Sequence, residues 1–229
     1  MSQETGILSS KSVERNKIEG RITELLAGGG PVQPILDYLV ATKGKMLRPA
    51  LVMLTAEACA PVSGIAPQED DVLDVAATFE LIHMASLIHD DIIDDAPRRR
   101  GMPTAHLLWG IHSAILAGDY LFTRANRTAL RYSHLGIASL VCQAIELTCE
   151  GEIAQDARLY DPTVTAGEYI SHIARKTATL FGAACQAGAA IAKAPPEIED
   201  VMLRFGVEVG CAFQISDDIM DLTADPAVS

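Results

Sequence analysis

The sequence predicts an all-α fold, a bundle of closely packed helices, and three observations carry that expectation. Alanine supplies 33 of the 229 residues while aromatics make up only 5%, a mixture that suits close helix packing better than β-sheets, whose strands favour β-branched and aromatic side chains. Apolar residues recur at helical spacing along the chain, and no strand-length alternation of apolar and polar residues stands out. With 49% hydrophobic and 21% charged residues, the chain has ample material for a core, and its length suits a single domain over residues 1–229.

Punctuation places the helices in order. A first helix is expected over about residues 12–27, stopped by Gly28-Gly29-Gly30-Pro31, and a short second one opens at Pro34 and ends near Lys43-Gly44. A buried helix begins at Pro49 and closes in the loop from Pro61 to Pro67. A long helix starts near Glu69 and breaks at Pro97. The apolar stretch after Pro103 reads as helical to about Arg131, with an interruption at Gly110 or Gly118. A further helix spans about residues 136–157. Thr165-x-x-Glu168 has capping-box spacing for a helix reaching about Lys193, and Pro195-Pro196 opens a last helix to about Leu222, stopped by Asp225-Pro226. The stretches 132–145 and 177–192 lack charge on every face and are expected to be buried, around a core or around a tunnel for a long hydrocarbon.

The formal charge is −12, which argues against a nucleic-acid partner or a polybasic membrane anchor. Small anionic substrates remain open, since they need only local positive charge or metal. Cys59, Cys142, Cys149, Cys185 and Cys211 form no C-x-x-C pair, so a reducing cytoplasm is the expectation. No signal peptide is legible in MSQETGILSS, and the longest uncharged stretch, Gly101 to Gly118, is a poor membrane span.

The pattern D-D-x-x-D occurs at Asp70-Asp71-Asp74, Asp90-Asp91-Asp94 and Asp217-Asp218-Asp221. The first set opens a helix, where the positive end of the macrodipole favours carboxylates, so a structural role accounts for it. The second lies about 30 Å further along the same helix at 1.5 Å per residue, at the end where the dipole opposes negative charge. Asp90, Asp91 and Asp94 share one face there and Asp95 adds a further acid. The third set repeats this at the end of the last helix. Crowded carboxylates without His or Cys suit a hard cation such as Mg²⁺, which binds through a few carboxylates and substrate phosphate oxygens. Arg98-Arg99-Arg100 directly follow the second set, and Lys43, Lys45 and Arg48 bunch around GKMLRP, which supplies anion-binding groups beside the metal groups.

In combination the segments KGKMLRP, ELIHMASLIHDDIIDDAPRRRG, GDYLFTRA, KTATLF and FQISDDIMD resemble the trans-type (E-) polyprenyl diphosphate synthase family, over nearly the whole chain. The resemblance implies an isoprenoid-synthase-type helical bundle around a central apolar cavity. It implies a Mg²⁺-dependent transferase that condenses isopentenyl diphosphate with an allylic diphosphate. Asp90, Asp91, Asp94, Asp217, Asp218 and Asp221 would hold the metal, three ions in all, with Mn²⁺ as the substitute. Arg99, Lys176, Thr177 and Gln214 would meet the allylic diphosphate, and Lys45, Arg48, His83 and Arg100 that of isopentenyl diphosphate, with His89 outside the set. Asp90, Asp91, Asp94, Lys176 and Asp217 are thereby expected to be catalytic, through ionisation of the allylic diphosphate and loss of a proton to the released diphosphate.

Ala85 and Ser86, one turn before the second acidic set, occupy the family's chain-length positions. Both are small, which implies an all-trans product longer than fifteen carbons, with the deeper floor placed around Leu116 or Leu140. The resemblance also implies a homodimer and a product delivered to the membrane. Met46 and His106 depart from the family, which often has Arg and Asn there. Against the family pattern the chain to Ser229 lacks a lysine-containing loop and the C-terminal helices. The rival readings are a class I terpene cyclase and a non-catalytic regulatory subunit of a heteromeric synthase.

Overall fold

The computed structural model describes residues 2–42, 44–158 and 161–223, with side chains from Glu14 onward. Lys43 and the proposed stop at Asp225-Pro226 lie outside the described residues. Ten α-helices and one small hairpin are present among them: α1 Ser2–Leu26, α2 Gln33–Ala41, α3 Leu47–Ser63, α4 Glu69–Ile93, β1 Arg98–Arg99, β2 Met102–Pro103, α5 Ala105–Trp109, α6 Ile111–Ala129, α7 Ile137–Asp156, α8 Ala166–Ile173, α9 Thr179–Ile191 and α10 Pro196–Thr223. The first helix thus starts well before the expected residue 12, and α3 begins two residues before Pro49. The interruption after Pro103 falls at Gly110, where φ of +81° breaks the helix. Gly118 instead stays inside α6, where a Cβ would lie 2.2 Å from the His89 ring.

Two helices form the centre. α4 packs against α1, α3 and α6, and α9 against α3, α4, α7 and α10. Val75, Phe79, Leu81 and Ala85 of α4 are fully enclosed, as are Ala184, Cys185, Ala187 and Ala189 of α9. Small residues allow this density. A Cβ at Gly188 would lie 2.4 Å from the Val52 carbonyl oxygen of α3, and one at Gly210 would lie 2.6 Å from Ala178 Cα. Both helix pairs therefore meet at backbone distance, which enlarges the dispersion contact per residue. α4 alone among the described helices is long and apolar enough to cross a membrane, but most of that stretch is buried inside the bundle.

The two uncharged stretches part company. Residues 177–192 are buried almost throughout, as expected. α7 is not: Ile137, Val141 and Ala144 are buried, whereas Ser139, Cys142 and Gln143 are exposed. Neutral polar and small residues carry no charge yet hydrate readily, so absence of charge overstated the burial of this helix.

The segment from Thr165 starts with the expected capping box. The Glu168 amide donates to Thr165 Oγ1 at 3.3 Å and the Thr165 amide donates to Glu168 Oε2 at 2.9 Å. The helix does not run on regularly, because residues Ala174–Ala178 form a π-helical turn between α8 and α9. Such single-turn widenings gather at functional sites.

The acidic set at the start of α4 ties α1 and the 3₁₀ turn Leu130–Leu135 to the core. Asp74, 1% exposed, accepts a hydrogen bond from Tyr132 Oη at 2.8 Å and pairs with Arg131 Nη1 at 2.5 Å. Arg21 bridges Asp70 and Asp74 from α1, and Tyr132 also donates to Asp71 at 3.0 Å. Asp74→Ala should destabilise the chain by about 1–3 kcal/mol in urea titration, since it removes the buried carboxylate that Tyr132, Arg21 and Arg131 share. A change below about 0.5 kcal/mol would show that this network is only a solvated ornament.

Candidate active site

The C-terminal ends of α4 and α10 open onto one cavity of about 780 Å³. Its wall carries Asp90 and Asp94 from α4, Asp217 and Asp221 from α10, and Lys176 and Thr177 from the π turn. The same wall carries the basic and imidazole groups of Lys45, Arg48, His83, Arg99 and Arg100. The bundle thus brings together residues spread over most of the chain.

Local geometry aims each group. The hairpin β1–β2 turns on Arg100 and Gly101, with φ of +51° and +78°, the two left-handed residues that a tight two-residue hairpin favours. The three arginines therefore diverge. Arg98 is exposed, Arg99 donates from Nε to Asp91 Oδ1 at 2.6 Å, and Arg100 donates from Nη1 to the Thr42 carbonyl at 3.0 Å. Gly44 makes room for Arg100, because a Cβ there would lie 2.9 Å from Nη1. Met46, left-handed at φ +53°, turns the chain into α3 so that Lys45 and Arg48 flank the corner. Lys45 lies over the Phe213 ring at 5.5 Å and Arg48 over Phe181 at 4.6 Å, contacts that stabilise a cation without occupying it with a carboxylate.

The π turn presents Lys176 and Thr177 to the same cavity. Lys176 Nζ lies 2.9 and 2.8 Å from the two carboxylate oxygens of Glu152 on α7. Thr177 Oγ1 donates to Gln214 Oε1 at 2.9 Å, and Gln214 Nε2 donates to Asp218 Oδ1 at 2.7 Å. Tyr169 Oη donates to the other Asp218 oxygen at 2.5 Å. Gly151 lets α7 approach, since a Cβ there would lie 2.6 Å from the Lys176 amide nitrogen.

The acidic sets are thereby sorted. Asp90, Asp94, Asp217 and Asp221 face the cavity. Asp91 is buried and held by Arg99, and Asp218 is held by Gln214 and Tyr169. Of the six carboxylates expected to hold metal, four thus face the cavity, while Asp91 and Asp218 also brace the cation, hydroxyl and amide that donate to them. His83 lies in the wall with its imidazole pushed well below the usual range by burial and by Arg48, Arg100 and Arg99, so it is neutral at pH 7. Arg48 is pulled down to about 10 by burial, opposed by Glu80, and remains a cation at neutral pH.

The floor differs from the expected one. Ser86 lines the cavity, but Ala85 is fully buried on the neighbouring face of α4. Leu116 is 65% exposed on the outside of α6, and Leu140 packs against the core outside the cavity wall. From α6 and α7 it is Phe122, Ile145 and Cys149 that line the cavity. Helical periodicity placed α6 and α7 but not which stripe of each faces inward. His89, left outside the functional set, also reaches the wall, with Nε2 at 3.2 Å from the Ile115 carbonyl oxygen. Glu80, Glu152, Phe122 and Tyr169 escaped the sequence reading, because the contacts that place them come from other helices.

The donor set fits a hard divalent cation that keeps waters and takes phosphate oxygens. Among the described residues no three His, Cys, Asp or Glu side chains converge into a ready-made metal cage. Asp90 carries the electrostatic cost of this arrangement. Burial, Glu152 and Asp94 push its carboxyl up to about 6, against Lys176 and Arg99. The folded value lies above the unfolded 3.8, so the penalty is absent below about pH 4, grows up to about pH 6 and is full above it. Without divalent cation, Asp90→Asn should therefore stabilise the chain by about 1–3 kcal/mol at pH 7.5 and leave it unchanged at pH 4 in urea titrations. Destabilisation at pH 7.5 would show that Asp90 is already satisfied.

Comparison with known proteins agrees with this geometry. Residues 31–229 match the family model for polyprenyl synthetase. Heptaprenyl diphosphate synthase component 2 of Geobacillus stearothermophilus is 40% identical over 194 residues, covering 85% of this chain and 59% of that protein. Solanesyl diphosphate synthase 1 of Arabidopsis thaliana is 36% identical over 203 residues, covering 87% and 50%. The chain thus spans between half and three-fifths of these relatives' lengths. Among solved structures, a polyprenyl synthase from Caulobacter crescentus complexed with calcium and isoprenyl diphosphate superposes with a TM-score of 0.83 at 32% identity, covering 93% of this chain and 64% of that one. With its paired acidic helix ends, its GKMLRP corner and this breadth of similarity, the chain belongs to the polyprenyl synthetase family.

Proposed function

We propose that the protein transfers an allylic group from its diphosphate to isopentenyl diphosphate, giving an all-trans polyprenyl diphosphate longer than fifteen carbons. The observation that carries this reading is one cavity whose wall holds five cations, Lys45, Arg48, Arg99, Arg100 and Lys176, together with Asp90, Asp94, Asp217 and Asp221. Lys176, Arg99, Thr177 and Gln214 take the allylic diphosphate beside Asp90, Asp94, Asp217 and Asp221. Lys45, Arg48, His83 and Arg100 take that of isopentenyl diphosphate. A cyclase needs only the first of these groups.

Mg²⁺, or Mn²⁺ in its place, supplies Lewis-acid stabilisation of charge on the departing diphosphate when bound by these carboxylates. Lys176 and Arg99 add N–H donors to the same oxygens. Leu180, Ile145 and Phe122 in the wall keep water from the allylic cation, while the Lys45 and Arg48 side hold the attacking double bond near it. Attack leaves a tertiary cation on the branched carbon of the isopentenyl unit. A proton is lost from the adjacent carbon on its diphosphate side, its C–H pair forming the new double bond, and passes to the released diphosphate.

Product length follows from the wall. Ser86 is a small residue in the wall, where a bulky one would take up cavity space, and Phe122 lines the same cavity. The relatives named for heptaprenyl and solanesyl products support the same direction. Leu107, Leu108, Ile111 and Ile115 expose an apolar strip on α5 and α6, which fits the homodimer reading, in a cytoplasmic protein that hands its product to the membrane. A relative described as component 2 keeps a heteromeric assembly as the alternative.

The test is incubation with Mg²⁺, labelled isopentenyl diphosphate and farnesyl diphosphate, followed by sizing of the dephosphorylated products. Linear products beyond fifteen carbons are expected. Cyclic hydrocarbon would point to a cyclase, and product only on addition of a partner chain to a regulatory subunit. In an active preparation, Ser86→Phe should shorten the mean product, and an unchanged distribution would remove Ser86 from the length-limiting wall. Gly44→Val should raise KM for isopentenyl diphosphate by about tenfold, roughly 1.4 kcal/mol, with less change for the allylic substrate, by displacing Arg100.

A further inference from the structure

Two charged wall residues, Glu80 and Glu152, have no part in the reading above, and Glu152 stands against one of its central groups. Both Glu152 oxygens hold Lys176 Nζ, at 2.9 and 2.8 Å, across 24 residues of sequence. The other cation of the allylic side, Arg99, is likewise held, by Asp91 at 2.6 Å. Lys45 and Arg48 differ, since they lean on aromatic rings. On the allylic side, then, both cations are already neutralised, while Asp90, Asp94, Asp217 and Asp221 line the same space. A diphosphate arriving without a cation meets a wall of like charge in a site partly shielded from water, where such repulsion is weakly screened.

We infer that Glu152 makes diphosphate binding on the allylic side conditional on a divalent cation, by occupying Lys176 until a metal-bound diphosphate arrives. The inference rests on the reading that this side takes a diphosphate. Glu152 is a positioning residue in this account, acting through Lys176. Lys176 is 30% exposed in its side chain, so its ammonium can pass from carboxylate to phosphate oxygen without unpacking the π turn. The exchange becomes favourable only when the metal has offset the surrounding aspartates. The device selects the metal complex of the substrate over the free diphosphate, and it prevents released diphosphate from lingering once its cations leave.

The experiment is calorimetric titration of inorganic diphosphate into the protein at pH 7.5, once with excess Mg²⁺ and once with EDTA. The starting protein should bind diphosphate with Mg²⁺ and at least about a hundredfold more weakly with EDTA, a difference of ~2.7 kcal/mol. Glu152→Gln keeps the side-chain shape and should bind diphosphate in EDTA about tenfold or more tightly than the starting protein. Glu152→Asp, which keeps the charge, should restore the metal requirement, and a Glu152→Gln, Lys176→Gln double variant should lose the gain. Equal metal-free affinity of Glu152→Gln and the starting protein overturns the inference, as does a gain that survives removal of Lys176. If the starting protein binds diphosphate in neither condition, the diphosphate reading fails and the inference falls with it.

Discussion

Carboxylates gathered at the C-terminal ends of α4 and α10 are the constraint on which the rest of this structure depends. Helix ends of that polarity repel negative charge, and burial repels it further. Asp90 records the cost in its raised carboxyl. The surrounding architecture answers that cost in two ways. Some oxygens are given permanent donors, as Asp91 is by Arg99 and Asp218 by Tyr169 and Gln214. The others are left facing the cavity, where a divalent cation and a diphosphate can complete them. A site arranged in this manner is poor for stability and suited to binding a polyanion together with its metal.

The apolar part of the bundle makes such a site affordable. α9 is packed at backbone distance against α3 and α10 through glycine and alanine, so the core is dense there with few large side chains. That density has a second consequence at the mouth. Where α7 closes on the π turn at Gly151, Lys176 is placed against Glu152 rather than in solvent. Packing therefore decides which cations are available to a substrate, and electrostatics decides when.

Much of this was legible in the sequence, for physical reasons that differ by element. Helix punctuation is readable where a residue acts on its nearby backbone, as in the Thr165 capping box and in the glycine break after Pro103, which falls at Gly110 of the two glycines expected. The acidic sets were readable because carboxylates three and four residues apart must share a helix face. The π turn was not, since it arises where α8, α9, α7 and α10 are fitted to one another. The exposed side of α7 was missed because uncharged residues such as Gln143 and Ser139 were treated as buried ones. Glu152 and Tyr169 gave no local signal, as their partners lie 24 and 49 residues away. Phe122 rather than Leu116 lines the cavity from α6, because periodicity fixes a helix but not its rotation about its axis.

The central claim is that two separate helix ends jointly hold one metal-bound diphosphate. It is tested most directly by calorimetric titration of magnesium diphosphate into the protein and into Asp90→Asn and Asp217→Asn. Joint binding predicts that each substitution alone weakens the affinity by about tenfold or more, ~1.4 kcal/mol. Full affinity in either variant would contradict it, because one acidic helix end would then suffice.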